Sequence, residues 1–228
     1  MICAAIVAGG NGSRMGSDIP KQFLKISDKP ILLHTLKCFE KLVDIIVIAC
    51  HKDYVEYTKD IIKDEINCKT YVIEGGRDRM ESVLAVVSHL RSIGGEDDDI
   101  VLTHDGVRPF VPRRIIEESI KNVRIGHFCT VAINATDTVC VSSDGNSIDE
   151  VLERNKVFNI QTPQTFNLKT LEIMLKSSEK NKYTDMCGLA LASGIKVKIV
   201  EGTRENIKIT LPQDITVAET ILKGEKPL

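Results

Sequence analysis

The chain has few aromatic residues and no tryptophan, so aromatic side chains supply little of its core. Phenylalanine and tyrosine make up 4% of its 228 residues, whereas apolar residues of all kinds make up 43%. A chain of this length and apolar content can bury the core of one α/β domain. Valine, isoleucine and leucine must therefore do most of the packing, and we expect residues 1–228 to form a single domain.

The chain also lacks an excess of either charge, since 30 basic and 32 acidic residues leave a formal net charge of −2. These charges are mixed along the sequence, which argues against binding to nucleic acid or to a membrane surface. No apolar run approaches membrane-spanning length, and no signal-peptide pattern precedes the first apolar run. We therefore expect a cytoplasmic protein with neither a nucleic-acid nor a membrane partner.

The seven cysteines include no Cys-x-x-Cys pair and form no metal-ligand spacing with the five histidines. Their number is odd, their spacing is irregular and most lie in apolar segments, which is typical of reduced cysteines within a core. The pattern predicts neither a disulfide framework nor a zinc site.

Three familiar signatures are missing around the first apolar run and beyond it. The Gly-Lys-Ser/Thr end of a P-loop is absent, and the dinucleotide fingerprint fails because Met15 stands at its third glycine position. The Gly-x-Ser-x-Gly nucleophile elbow does not occur. Any phosphate-binding loop in this chain must therefore be of another kind.

Short apolar segments alternate with amphipathic segments along the chain. The segments that we expect to be strands are residues 2–8, 44–49, 70–74, 100–103, 129–133 and 197–201. The segments with helical spacing or helix-start signals are residues 83–90, 115–123, 169–178, 184–192 and 213–222. This alternation predicts an α/β fold with a Rossmann-like, mostly parallel sheet and helices on both faces. Ligands of such sheets bind at the carboxyl ends of the strands.

Residues 134–158 break this alternation. They contain Thr- and Val-rich pieces, a turn at residues 143–146 and a further apolar piece at residues 148–152. The pattern predicts an inserted β-hairpin arm. Because a two-stranded hairpin is not stable alone, we expect the arm to pack on a second subunit.

Four glycines between residues 9 and 16 follow the first expected strand and let the backbone approach a ligand closely. Arg14 and Lys21 place two cations beside this loop. Backbone N–H donors together with cations suit a triphosphate. An ordinary strand-to-helix turn is the structural alternative.

A glycine pair, basic residues and a helix start recur at residues 75–82. The N-terminus of a helix with small or hydroxyl residues can receive polar ligand atoms. The alternative is a glycine turn with solvated charges at Arg77 and Asp78.

The segment from His104 to Pro109 follows another expected strand. Asp105 can face a Mg²⁺ ion carried by nucleotide phosphates, directly or through water, and Arg108 can contact a second phosphate. Alternatively, Asp105 and Arg108 pair with each other and close a surface loop. We expect His104 to be a structural hydrogen-bonding residue rather than a general base.

Two later segments are also candidates. Residues 161–166 are polar between apolar neighbours, and their uncharged side chains suit hydroxyls or a base. Lys208 lies in a short alternating segment, residues 205–210, that we expect to be a strand ending near the crevice.

In their order, these motifs resemble those of the small cytidylyltransferases that act on polyol phosphates, over residues 4–222. The motifs are AGGNGSRM at 8–15, PKQ at 20–22, DRMESV at 78–83, HDGVRP at 104–109, QTPQ at 161–164, TD at 184–185 and NIKIT at 206–210. The family includes 2-C-methyl-D-erythritol 4-phosphate cytidylyltransferase of the non-mevalonate isoprenoid pathway and ribitol-5-phosphate cytidylyltransferase of teichoic-acid and capsule synthesis. The resemblance implies a sheet of the nucleotidyltransferase type.

The resemblance also implies a reaction. An oxygen of the polyol phosphate attacks the α-phosphorus of CTP in line, and pyrophosphate leaves. The protein then has to position the reactants and neutralise charge on phosphate oxygens, with Mg²⁺ accompanying the CTP phosphates.

The resemblance further implies the role of each site residue. The catalytic cations are Arg14, Lys21 and Lys208. The CTP-binding residues are Ala8, Gly9, Gly10, Asn11, Gly12, Gly76, Arg79 and Ser82. The acceptor-binding residues are Asp105, Arg108, Thr138, Arg154 and Thr162, with Asp105 also the candidate magnesium ligand. In the family the arm crosses to a second subunit, so the protein would be a homodimer in which Arg154 acts in trans.

The motifs leave two acceptors open. The segment around Leu152–Asn155 is closer to the isoprenoid enzyme, whereas the segment around Thr103–Phe110 is closer to the ribitol enzyme. We expect methylerythritol phosphate, with ribitol phosphate as the alternative. A non-catalytic nucleotide-binding subunit is the alternative of another class, and the retained cations together with Asp105 argue against it.

Overall fold

The structure is a computed structural model, and it describes residues 1–10, 15–17, 19–176 and 183–224. Its strands are β1 (Ile2–Ala8), β2 (Lys25–Ile26), β3 (Lys29–Pro30), β4 (Ile45–Cys50), β5 (Lys69–Glu74), β6 (Ile100–Asp105), β7 (Cys129–Asn134), β8 (Cys140–Val141), β9 (Glu150–Val151), β10 (Phe158–Asn167) and β11 (Lys198–Glu201). Its helices are α1 (Ile31–Phe39), α2 (Val55–Ile62), α3 (Arg79–Ser92), α4 (Arg113–Arg124), α5 (Leu168–Leu175), α6 (Met186–Ala192) and α7 (Gln213–Leu222). Short 3₁₀ helices cover Lys21–Phe23, Lys52–Tyr54 and Arg154–Lys156.

Seven of these strands form the central sheet, in the order β11-β7-β10-β6-β1-β4-β5. Strand β1 pairs in parallel with β4 and β6, and parallel pairing continues from β4 to β5 and from β7 to β11. Within this sheet, β10 runs antiparallel to its neighbours β6 and β7. The expected Rossmann-like, mostly parallel sheet is confirmed.

Apolar cores cover both faces of the sheet. Ala4 and Ile6 of β1 pack in the cluster that includes α1 and α4, whereas Cys3 and Ala5 pack in the cluster that includes α3, α5 and α6. Successive strand residues point to opposite faces, and a strand buried on both faces is therefore apolar throughout. This explains why β1 and β4 stand out in the sequence as continuous apolar runs.

Strand β10 was not predicted. Its segment from Gln161 to Thr165 is polar and buried in the middle of the sheet, so it lacks the apolar signature of the other central strands. The opposite error occurs at residues 205–210, where the expected strand is wrong. That segment is irregular, although the Ile209 N–H donates to the Val107 carbonyl at 2.9 Å.

The expected hairpin arm is confirmed as a local fold. Strands β8 and β9 pair antiparallel, and the Ala135 N–H donates to the Val157 carbonyl where the arm leaves the sheet. Large apolar side chains of the arm and the adjoining part of β10 are 38–67% exposed, namely Val141, Ile148, Val151, Phe158 and Ile160. The arm thus carries apolar surface that the described residues of its own chain leave uncovered.

The cysteines follow the expected core placement only in part. Cys3, Cys50, Cys129 and Cys187 are buried, and Cys38 and Cys68 are half-buried. Cys140 is exposed on β8, so its expected core position is wrong. Among the described residues, no helix has both the length and the apolar character needed to cross a membrane.

Candidate active site

A cleft opens where β1 and β6 end and where the loop after β5 turns into α3. Because these strands are parallel, their carboxyl ends meet at one edge of the sheet. Of the predicted site residues, the cleft is lined by Ala8, Gly9, Gly10, Lys21, Gly76, Arg79, Ser82, Asp105 and Lys208. The structure therefore brings together the glycine loop, the second glycine motif and two of the three expected catalytic cations.

The described part of the first glycine loop ends at Gly10, and the predicted site residues Asn11, Gly12 and Arg14 lie outside the described residues. Gln22 fixes the start of this loop, since its buried amide donates to the Ala8 carbonyl at 2.5 Å. This bond ties the 3₁₀ helix that carries Lys21 to the end of β1. The position of Lys21 in the cleft thus depends on a neutral neighbour.

The loop of residues 75–82 is held by the side chain of Ser82. Its hydroxyl accepts from the Gly76 N–H at 3.1 Å and donates to the Asp78 carbonyl at 2.7 Å. Asp78 caps α3 by accepting from the Glu81 N–H at 2.8 Å, as N-cap residues do. A β-carbon on Gly76 would lie 2.1 Å from the Glu81 Cβ, so this position has no room for a side chain.

Arg77 at the rim of the cleft forms an exposed ion pair with Glu81. Its guanidinium contacts the Glu81 carboxylate with Nε at 3.1 Å and Nη2 at 2.5 Å, although its side chain is 90% exposed. The Glu81 carboxylate also accepts from the Arg77 backbone N–H at 3.0 Å. The alternative of solvated charges therefore describes Arg77, whose pair with Glu81 lies on the surface, and it describes the exposed N-cap residue Asp78 as well.

Asp105 lies at the centre of three cations. Its Oδ2 is 3.1 Å from Lys208 Nζ and 3.2 Å from Arg108 Nε, and its Oδ1 accepts from Arg79 Nη1. The Asp105 carboxylate is buried, whereas the Lys208 side chain is 44% exposed. The pair that the sequence offered as a surface alternative, Asp105 with Arg108, does form, but it is buried.

The charges of this cluster do not cancel. Burial by itself would raise the pKa of the Asp105 carboxyl, but Arg79, Lys208 and Arg108 outweigh burial and hold that pKa well below its usual range. One carboxylate therefore faces three cations at neutral pH. The surplus positive charge at the cleft is suited to phosphate oxygens.

The contacts of Asp105 with its three cations affect whether this carboxylate can bind Mg²⁺. Both carboxylate oxygens of Asp105 already accept from cationic groups, and Mg²⁺ requires oxygen ligands in octahedral geometry. Within the described residues, no group of three or more His, Cys, Asp or Glu side chains is arranged to hold a metal ion. Three of the roughly four lone-pair sites of the Asp105 carboxylate are thus directed at cations, and its role as a magnesium ligand, directly or through water, stays a prediction.

His104 is a buried hydrogen-bonding residue, as expected. Its Nε2 lies 3.1 Å from the Arg108 carbonyl, which can only accept, so Nε2 carries the proton and Nδ1 accepts from the Thr162 hydroxyl at 3.0 Å. The Thr162 hydroxyl in turn accepts from the Asp105 N–H at 3.2 Å. Burial lowers the pKa of His104 to about 4, so the imidazole is neutral near pH 7.

A second network holds the segment before Lys208. The Arg108 Nη1 donates to the Asn206 carbonyl at 2.8 Å, and the Asn206 amide donates to the Thr162 carbonyl at 3.0 Å and to Gln161 Oε1 at 3.2 Å. These bonds connect β10, the turn after β6 and the Lys208 segment. They order the segment without a strand.

Thr138 and Arg154 come together on the arm. The Arg154 Nη2 donates to the Thr138 hydroxyl at 2.7 Å, and both side chains are exposed. Neither residue lines the cleft of its own chain, and neither do Arg108 and Thr162, within the described residues. The predicted acceptor-binding residues thus form two groups, one around Asp105 and one on the arm.

Sequence reasoning did not identify Gln22, Gln164 and Asn206 as side chains that organise the site. Each is fully buried or nearly so and makes hydrogen bonds to the cleft residues or to the segments that carry them. The signal in the sequence is an amide side chain inside each motif, beside charged or apolar residues for Gln22 and Asn206 and within a polar segment for Gln164. Which group such an amide contacts is decided by the fold.

Comparison with known proteins identifies this arrangement. Residues 2–224 match the model of the IspD family, described as 2-C-methyl-D-erythritol 4-phosphate cytidylyltransferase. The solved 4-diphosphocytidyl-2C-methyl-D-erythritol synthase from Anaerococcus prevotii is 29% identical with a TM-score of 0.82, and the alignment covers 98% of each chain.

Two further solved structures are similar. The 2-C-methyl-D-erythritol 4-phosphate cytidylyltransferase from Francisella tularensis is 30% identical with a TM-score of 0.78, over 95% of this chain and 97% of the other. The enzyme of the same name from Thermus thermophilus shares the fold at 24% identity and a TM-score of 0.76, over 97% and 98% of the two chains. The chain therefore belongs to the IspD family of CTP-dependent cytidylyltransferases.

Proposed function

We propose that this protein transfers the cytidylyl group of CTP to 2-C-methyl-D-erythritol 4-phosphate and releases pyrophosphate, as a step of isoprenoid biosynthesis. The observation that carries the proposal is the cleft itself. It places the backbone of Ala8–Gly10, the Lys21 and Lys208 side chains and the Arg79–Asp105 pair at the carboxyl ends of parallel strands. Family membership supports the nucleotide and the acceptor.

In the proposed reaction the protein's main task is to stabilise the charge that grows on phosphate oxygens. A phosphate oxygen of the acceptor attacks the α-phosphorus of CTP, the bond to the β-phosphate oxygen breaks, and pyrophosphate leaves. Negative charge grows on the transferring group and on the leaving group. Lys21 and Lys208, with Arg14 as the third proposed cation, would meet this charge, since fixed cations in a partly desolvated site stabilise the transition state.

CTP is proposed to bind along the two glycine motifs. Ala8, Gly9 and Gly10 would present backbone donors to the nucleotide, with Asn11 and Gly12 continuing the same loop. Gly76 and Ser82 would shape the wall beside the base and ribose, and Arg79 would face the phosphates. The close approach of the Gly76 backbone to Glu81 leaves no space for a side chain at this point of the wall.

The acceptor is proposed to bind between Asp105, Arg108 and Thr162 on one side and the arm on the other. Arg108 and Thr162 are buried behind Asp105, so they would act mainly by fixing that carboxylate and its loop. Thr138 and Arg154 sit together on the exposed arm. A phosphate between them would receive a cation and a hydroxyl donor.

We also propose a homodimer through the arm, residues 134–158. The arm exposes apolar side chains, among them Val141, Ile148 and Val151, whose burial against a partner would be favourable. A two-stranded hairpin also needs further packing to be stable. Pairing about a two-fold axis would cover both arms at once. Arg154 of one subunit would then complete the acceptor site of the other, while residues 1–228 of each subunit form one domain.

Magnesium is proposed to enter with the CTP phosphates rather than on a protein carboxylate. It would supply charge neutralisation on phosphate oxygens. The three ion pairs of Asp105 support a role for that residue toward the cations instead.

The thiols of Cys3, Cys50, Cys129 and Cys187 are buried and free. Free thiols suit a reducing compartment, so we propose that the protein is cytoplasmic.

Pyrophosphate release tests the proposed function. Purified protein is assayed with CTP, Mg²⁺ and 2-C-methyl-D-erythritol 4-phosphate, with ribitol 5-phosphate in a parallel reaction and UTP in place of CTP in another. We expect turnover with CTP and methylerythritol phosphate. UTP should be poorer because it exchanges a donor for an acceptor at the base edge, which costs about 1–3 kcal/mol when the partner is buried.

Each reaction has an outcome that contradicts one part of the proposal. Equal turnover of UTP and CTP would contradict the choice of nucleotide. Faster turnover of ribitol 5-phosphate would contradict the choice of acceptor. No turnover with either acceptor, although CTP binds, would favour a non-catalytic nucleotide-binding protein.

A further inference from the structure

Gln164 is a fully buried polar side chain in the middle of β10, beside the cleft but not among the residues that line it. Its backbone pairs with Thr103 of β6 and Thr130 of β7. A buried amide is costly unless its donors and acceptors find partners. All of the partners of this amide come from two helix starts on the same face of the sheet.

Every hydrogen-bonding position of the Gln164 amide is occupied. Its Oε1 accepts from the Met186 N–H at 3.3 Å and from Arg79 Nη2 at 3.5 Å. Its Nε2 donates to Cys187 Sγ at 3.0 Å and to Asp185 Oδ2 at 3.4 Å. An amide turned by 180° would place its NH₂ group against the donors of Met186 and Arg79. The surroundings therefore fix which end of the amide faces Arg79.

Arg79 is the side chain through which this amide reaches the cleft. It is the first residue of α3, its side chain is 18% exposed, and its guanidinium is held between Asp105 Oδ1 and Gln164 Oε1. Its buried Nε makes no hydrogen bond to another described residue. An arginine side chain loses substantial rotamer entropy when it is fixed. Because Asp105 and Gln164 on two separate strands already hold the guanidinium, this cost is met before a ligand binds.

Gln164 is itself held in place by a residue that caps a helix. Asp185, which accepts from Gln164 Nε2, also caps α6 through the Gly188 N–H at 2.9 Å. Gln164 thus connects the start of α6 with the start of α3 on one face of the sheet. A shift of either helix start would move the guanidinium of Arg79.

We propose that Gln164 is a positioning residue that holds Arg79 in the orientation needed for nucleotide binding. The inference rests on the proposed function, because it takes CTP as the ligand that Arg79 contacts. Gln164 itself touches no substrate in this scheme.

A double-mutant cycle on CTP affinity tests the proposal. The Kd of CTP with Mg²⁺ is measured by titration calorimetry for the wild type, Gln164→Met, Arg79→Met and the double variant, with the thermal midpoint of each. Methionine has a similar volume and removes the amide. We expect Gln164→Met to raise the Kd about 3–10-fold, as expected for losing the contribution of one typical hydrogen bond. In the Arg79→Met background the same change should raise it less than about 2-fold.

Gln161 provides a matched control. It is a buried glutamine on the same strand with amide partners of its own, Thr203 and Asn206, and it makes no hydrogen bond to Arg79 in the described structure. Gln161→Met should therefore combine additively with Arg79→Met. A purely structural role of Gln164 would lower the thermal midpoint equally in both backgrounds and give additive effects on Kd.

The outcomes distinguish a failure of the positioning role of Gln164 from a failure of the proposed function. A wild type that binds CTP, together with additive effects of Gln164→Met and Arg79→Met, overturns the positioning role alone. A wild type that does not bind CTP overturns both. Where Gln164→Met does not yield folded protein, the cycle is run with Gln164→Asn, which keeps an amide but withdraws it by one methylene, and the same criteria apply.

Discussion

Lys208 Nζ lies 3.1 Å from Asp105 Oδ2, and the two residues come from distant parts of the chain. The Asp105 carboxylate is buried and the lysine is half-exposed, so the lysine side chain rests on a fixed carboxylate at the floor of the cleft. A carboxylate that is shared with Arg79 and Arg108 cannot neutralise all three cations. This relationship leaves Lys208 able to contact a phosphate without leaving the site.

Replacing Lys208 by alanine should lower kcat about 10²–10³-fold, because removal of one group that stabilises transition-state charge has that effect. The KM for the acceptor should change much less. Steady-state pyrophosphate release measures both. Lys59→Ala is the matched control, since Lys59 is an exposed lysine paired with Glu56 on α2. A Lys208→Ala enzyme with near-normal kcat would show that this lysine is a surface charge.

The buried imidazole of His104 should make stability depend on pH. Its folded pKa is about 4, below the unfolded value near 6.5. Between these values the unfolded state binds more protons, so stability should fall as the pH drops from about 6.5 to 4, by at most about 1.4 kcal/mol per pH unit. Above about pH 7 this contribution should be constant.

Urea unfolding of the wild type and of His104→Gln between pH 4.5 and 7.5 checks this. Glutamine can donate to the Arg108 carbonyl and accept from Thr162 but does not titrate. The difference in unfolding free energy between the two proteins should therefore shift in favour of the variant as the pH falls. A difference that is constant across this range would refute the assignment of a neutral His104.

Alanine at Gly76 should destabilise the protein, because its β-carbon would overlap the Glu81 Cβ and backbone. Forced overpacking typically lowers the free energy of unfolding by about 1–3 kcal/mol. Gly10→Ala is the control, since a β-carbon there meets no heavy atom within 4 Å. Chemical denaturation of both variants makes the comparison. Equal stability of the two would mean that the loop of residues 75–82 adapts freely.

The protein should be a dimer joined through the arm, with Arg154 of one subunit acting in the site of the other. Sedimentation should show a dimer, and Arg154→Ala and Lys208→Ala should each be nearly inactive alone. If Arg154 acts in trans, a mixed dimer contains one site with both defects and one site with neither, so mixing should restore activity. In a cis arrangement every site keeps one defect and mixing restores nothing. A monomer in sedimentation would contradict the proposal directly.

Much of the scaffold follows from local patterns. Strands β1 and β4 are apolar throughout because both of their faces are covered, and the expected strands that end at Ala8 and Glu74 each lead into a glycine motif. Strand β10 escaped prediction because its buried side chains are amides and hydroxyls, which are stable there only through partners on β6, α3 and α6. The expected strand around Lys208 failed for a related reason, since Asn206 and Val107 satisfy that segment without a sheet partner.

The alternation of strands and helices, the glycine loops and the residue types available for a phosphate site can all be read from local patterns, because they depend on neighbouring residues. That Asp105 contacts Arg79, Arg108 and Lys208 together, and that Gln164 faces Arg79, follows only from the folded arrangement. Those contacts depend on the order of strands in the sheet and on which buried group must find a partner. Neither is encoded in the periodicity of any one segment.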